Sequence, residues 1–170
     1  MILGISASTY TLIHIVLSVM GLLTGAIVVW GMLIGKMFDG WTVGFLVTMV
    51  LTSMTGFYFP SPIFGLSHAI GIISLTVLAV VILALFGYRL AGPWRQAYVM
   101  GTLLVLYLNV FSAVVQLFHR VSYLRALAPT QKEPPFIIAQ LVVMVIFMVI
   151  GAFAVKAFHP GETPPGSDFD

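Results

Sequence analysis

Apolar residues run almost without interruption along this chain, broken at intervals by charged or helix-breaking positions. The intervals are about 20 residues, the length of helix that crosses roughly 30 Å of hydrocarbon. Five spans follow, at about 10–35, 41–59, 66–88, 94–118 and 135–158. Lys36-Met37-Phe38-Asp39-Gly40 separates the first two, Pro60-Ser61-Pro62 ends the second, and Arg89 with Ala91-Gly92-Pro93 ends the third. Each proline lacks a backbone donor and restricts the residue before it, so these are helix boundaries. Barrel strands would alternate polar and apolar with period two, and these runs do not.

The pattern therefore predicts an all-α integral membrane bundle of five transmembrane helices, with 1–159 a single domain and 160–170 a disordered tail. Between the fourth and fifth spans, Val121, Leu124 and Leu127 recur at helical spacing beside Arg120 and Arg125. Residues 119–134 read as a short interfacial segment. Met1–Thr9 carries no Lys or Arg, and the span after it is longer than a signal h-region, so it does not read as a cleavable signal.

Composition removes alternatives. With 61% hydrophobic and only 7% charged residues, the 170-residue chain cannot coat a water-facing surface. Its formal charge of +2 comes from few charges of either sign and does not indicate nucleic-acid binding. Zero cysteines exclude disulfides, thiolate metal sites and covalent haem attachment. All five carboxylates, Asp39, Glu133, Glu162, Asp168 and Asp170, fall in loops or tail, which argues against a proton relay on buried acids. No Walker loop, GxGxxG, GxSxG or HExxH is present.

Uncharged polar residues crowd toward the leaflet on the N-terminal side: His14, Thr52, Thr55, Tyr58, His68, Gln116, His119 and Gln140, with Asn109 nearer mid-membrane. The opposite leaflet reads as mostly aliphatics, small residues and Trp. Thr11, His14, Ser18, Gly21 and Gly25 share one face of the first helix; Gly44, Thr48, Thr52, Thr55 and Gly56 repeat this in the second. Tyr98, Thr102, Asn109, Ser112, Gln116 and Arg120 form a stripe on the fourth. Such stripes face protein, because an unpartnered amide or imidazole in hydrocarbon costs several kcal/mol.

Two readings of the stripes stand side by side. In one, they are the ordinary hydrogen-bonding glue of a membrane bundle, aided by the Gly21/Gly25 GxxxG. In the other, they line a pocket roofed by 119–134. There His14 and His68 would be axial ligands of haem b, with Gly21 and Gly71 leaving space for the macrocycle, or an imidazole and an amide of Gln116, Gln140 or Asn109 would bind a quinone head group. A metal held by His14, His68 and His119 is the weaker variant, since His119 lies off the Gln116 stripe. His159 reads as interfacial.

Several segments resemble an uncharacterised family of small bacterial polytopic inner-membrane proteins: Ile13-His14, Asp39-Gly40-Trp41-Thr42, Leu90-Ala91-Gly92-Pro93-Trp94-Arg95, Tyr107-Leu108-Asn109-Val110-Phe111 and Ala128-Pro129-Thr130-Gln131-Lys132-Glu133-Pro134-Pro135-Phe136. The resemblance implies bacterial origin and a membrane location. It implies no activity and carries over no catalytic residue. Lys36, Arg89, Arg95 and Lys156 share one side against Arg120, Arg125 and Lys132 on the other, which favours an N-terminus outside and a cytoplasmic C-terminus. Trp30, Trp41 and Trp94 mark the interface opposite the N-terminus. The expected role is a non-catalytic accessory or scaffold subunit in contact with the bilayer and with other membrane subunits or its own copies. The alternative is a haem b or quinone module.

Overall fold

Each helix boundary has a local cause. A computed structural model describes residues 6–57 and 65–160. Helix α1 (Ala7–Leu33) begins where the Ser6 hydroxyl accepts the Thr9 amide at 3.2 Å, an N-cap that carries the helix three residues further out than the apolar run alone indicates. It ends at Gly35, whose φ of +71° lets the Lys36 amide reach Gly31 O at 2.8 Å and its own amide reach Met32 O at 3.2 Å. That is a Schellman turn, and it needs a residue that adopts the left-handed region cheaply. Helix α2 (Asp39–Phe57) starts on an acid, favourable at the positive end of the helix dipole.

Helix α3 (Leu66–Ile82) continues through a π-turn, Leu83–Gly87, that gives way to Arg89 and Leu90, both at positive φ. The Leu90 amide reaches back to Ala84 O at 2.9 Å, and Tyr88 stacks on Trp94 at 3.9 Å across the turn. Helices α4 (Pro93–Arg120) and α6 (Pro134–Ala157) both open with proline in the first turn, where a missing N–H costs nothing. Between them lies the short α5 (Ser122–Leu127). Among the described residues there is no strand, and five helices are long and apolar enough to cross a membrane. The Pro60-Ser61-Pro62 boundary, Tyr58 and residues 161–170 of the tail lie outside the described residues.

Helices α1 to α4 form a ring of successive neighbours closed by contact between α1 and α4, and α6 packs outside it against α4 and α1. The bundle is tight at the end opposite the N-terminus, where Val28, Met32, Phe45, Met49, Leu78, Val81, Tyr98, Val105 and Phe158 form one core. Arg95 donates to Phe158 O at 2.8 Å and Tyr98 stacks on Phe158, so the start of α4 holds the end of α6. The other end is looser. Tyr10 is the only buried residue of α1 before Gly21, and Gln140 the only one of α6 before Gly151.

The expected roof over the pocket is instead a latch between α4 and α6. Helix α5 packs on α4, Gln131 donates to Val115 O at 2.9 Å, and Phe118 meets Phe136 edge to face. Glu133 organises the turn before α6: its carboxylate accepts from the Thr130 hydroxyl at 2.8 Å and from the amides of Thr130 and Lys132. Desolvation works to raise the Glu133 pKa, but these hydrogen bonds together outweigh it and hold the carboxyl below its ordinary value. A depressed pKa stabilises the turn above the ordinary carboxylate range and ceases to do so as pH falls through the folded value. Hydrogen-exchange protection factors at Thr130 and Lys132 are therefore expected to fall in acid, and Glu133→Gln to lower them at neutral pH. Unchanged factors in both would show that the carboxylate does not hold the turn.

Candidate functional site

His14, half-buried on α1, places Nδ1 2.8 Å from the Thr55 hydroxyl of α2, while the Tyr10 hydroxyl donates to Thr55 O at 2.7 Å. The Thr55 hydroxyl also lies 2.8 Å from Leu51 O. With its proton on that carbonyl it accepts from His14 Nδ1–H, and the neutral ring's lone pair is then on Nε2. His68 lies on α3 with its ring edge-on to Phe57, at a centroid distance of 6.0 Å. Both imidazoles thus sit at the level expected, against the last turn of α2.

The space expected for a macrocycle is filled by side chains. A Cβ on Gly71 would lie 2.9 Å from the Phe57 ring, and one on Gly21 2.6 Å from Met49 Sδ. In this packing the two glycines admit neighbouring helices, and the residues present do not fit a haem slotted beside them. Nor do His14, His68 and His119 converge on a metal: among the described residues no three His, Cys, Asp or Glu do. His119 is exposed beside Arg120 in the last turn of α4, where a cation complements the helix dipole.

Asn109 is buried and fully engaged. Its Oδ1 accepts from the Ser18 hydroxyl at 2.6 Å, and its Nδ2 donates to Ser18 O at 3.1 Å, a reciprocal pair tying α4 to α1. Gln116, by contrast, is exposed and accepts from Arg120 on its own helix at 3.3 Å. The threonine stripe of α2 turns inward on its own backbone, with Thr48, Thr52 and Thr55 hydroxyls donating to carbonyls one turn earlier. Gln140 is different: its Nε2 donates to Phe111 O of α4 at 3.2 Å, while its buried Oε1 has no partner among the described residues. The atom left over is an acceptor. It suits a hydroxyl donor, whereas a quinone carbonyl would have to take the second Nε2–H.

Compared with family models, curated proteins and solved structures, the chain matches none of them significantly. The functional argument therefore rests on geometry.

Two features escaped the pattern of polar positions. The leaflet opposite the N-terminus is less purely aliphatic than expected, since Thr42 lies 3.5 Å from the Tyr98 hydroxyl and Thr102 Oγ1 is buried without a partner among the described residues. Tyr98 and Thr102 lie on the predicted α4 stripe, so their burial was legible although the facing Thr42 was not. The second is a groove of about 610 Å³ between α4 and α6, whose lining includes Met100, Tyr107, Met144, Phe147, Gly151 and Lys156. Its only sequence signal is the run of large and small apolar residues on α6.

Proposed function

We propose that this protein is a non-catalytic accessory or scaffold subunit of a bacterial inner membrane, with its N-terminus outside and its C-terminus in the cytoplasm. The observation that carries this reading is the reciprocal Ser18–Asn109 pair: the most polar side chain at mid-membrane depth is engaged with its own bundle and offers nothing to a substrate. The His14–Thr55 contact and the back-bonded threonines support it in the same way. Helix α6 supplies a surface for neighbouring subunits, with Ile138, Leu141, Val145, Met148 and Phe153 exposed along it.

The test is to express the protein with ample haem, purify it in mild detergent, and record absorbance before and after dithionite. No Soret band is expected, and in-cell cross-linking from α6 should give one discrete stoichiometric complex. A Soret band lost in both His14→Ala and His68→Ala would overturn the reading, as would an absence of any discrete complex. Gln140 favours one second reading, a site for a hydroxyl-bearing ligand such as a quinol. In that case Gln140→Leu should reduce the quinol recovered by lipid extraction several-fold, and equal recovery from both proteins would remove it.

A further inference from the structure

We infer that the groove between α4 and α6 binds one acyl chain of an anionic phospholipid in the leaflet opposite the N-terminus, with Lys156 holding its phosphate. Depth is the first argument. The groove runs from Met144 and Tyr107, midway along their helices, to Lys156 in the last turn of α6. Twelve residues at about 1.5 Å each give roughly 18 Å, the depth of one leaflet. A helix from a second copy or another subunit would cross both leaflets, whereas a lipid tail ends at the midplane. Volume agrees, since about 610 Å³ falls within the roughly 300–1,000 Å³ of small-ligand pockets.

Lining and charge give the rest. Gly151 and Ala152 provide a low floor, and Met100, Met144 and Met148 are flexible thioethers that adapt to a mobile chain. Lys156 makes no hydrogen bond or ion pair with the described residues; of the two described acids, Asp39 begins α2 at the same end of the bundle without pairing to Lys156, and Glu133 is at the opposite end of α6. Arg95 is fixed on Phe158 O two residues beyond Lys156, which places a second cation at the same end of the seam. Basic side chains at the membrane surface beside an apolar inter-helix pocket are what anionic head groups recognise.

This proposal does not depend on the scaffold reading. The test reconstitutes delipidated protein with phosphatidylglycerol or phosphatidylcholine and counts retained lipids by native mass spectrometry. About one lipid per chain is expected, with phosphatidylglycerol preferred roughly five-fold, the ratio expected of about 1 kcal/mol from one interfacial lysine. Lys156→Gln should abolish the preference and Lys156→Arg keep it. Ala152→Phe, at an exposed position on the floor, should reduce retention of both lipids without unfolding the bundle. Equal retention of the two lipids by the wild type would overturn the proposal, as would a preference that survives Lys156→Gln or full retention in Ala152→Phe. Because the chain has no cysteine, Ala152→Cys supplies a unique thiol, and its disulfide with a second copy would identify another chain as the occupant instead.

Discussion

Gly101→Ala should destabilise the bundle by about 1–3 kcal/mol, the usual cost of overpacking a filled core. Helices α3 and α4 meet at this glycine, where an added Cβ would lie 2.5 Å from Val81 Cγ2 and 3.4 Å from Val77 Cγ1. Val81 is fully buried and β-branched, so it has no easy alternative rotamer. Helix propensity acts the other way, favouring alanine by about 1 kcal/mol in an exposed helix, and the clash must outweigh it. Gly44→Ala is the matched control: its nearest neighbour would be Thr24 Cγ2 at 3.8 Å, so it should be neutral or mildly stabilising. Thermal unfolding in detergent reads both. If Gly101→Ala unfolds no earlier than Gly44→Ala, the close approach of α3 to α4 is wrong.

Asn109→Leu should be the most costly polar substitution, at about 1–2 kcal/mol for interhelical hydrogen bonds lost inside a membrane. It removes both arms of the Ser18 pair and sets an isobutyl group against Met49 Sδ, which now lies 3.5 Å from Asn109 Nδ2. Ser18 limits the loss because a serine hydroxyl can turn to a carbonyl of its own helix. A double-mutant cycle with Ser18→Ala isolates the Ser18 Oγ–Asn109 Oδ1 arm, since the Ser18 carbonyl that accepts from Asn109 Nδ2 survives the substitution, with a coupling of about 1 kcal/mol expected. Additive single effects would show that the two side chains do not act together. Gln116→Leu, at an exposed position on the same stripe, should cost little.

The contrast between Asn109 and Gln116 shows what the amino-acid pattern can convey. Helix existence was legible because hydrocarbon demands long apolar runs, and α1, α4 and α6 fall within a few residues of the expected spans. The polar face of α1 was legible too: Ser18, Gly21 and Gly25 all point at neighbouring helices. What periodicity cannot convey is which neighbour stands opposite. Phe57 fills Gly71 and Met49 fills Gly21, and neither follows from the phase of α1 or α3 alone. Nor does spacing reveal whether a threonine hydroxyl faces a partner or its own backbone, which is why the α2 stripe read both as inter-helix glue and as a pocket wall. Gln116 continues the phase of α4 and His119 lies off it, yet both are exposed where the bundle loosens, so facing the right way does not by itself bury a residue.

The contact between Arg95 and Phe158 O also has a consequence in time. Tyr98 stacks on a residue that leaves the ribosome 60 positions after it, and Gly35 rests against the carbonyl of Ala157, which follows it by 122 positions. Spans one to four can insert and meet as hairpins while translation continues, but the tight end stays incomplete until the last helix arrives. A nascent chain halted before Ala157 would leave Arg95 and Tyr98 without their partners, and would present quality-control proteases with the surface that only a finished chain covers.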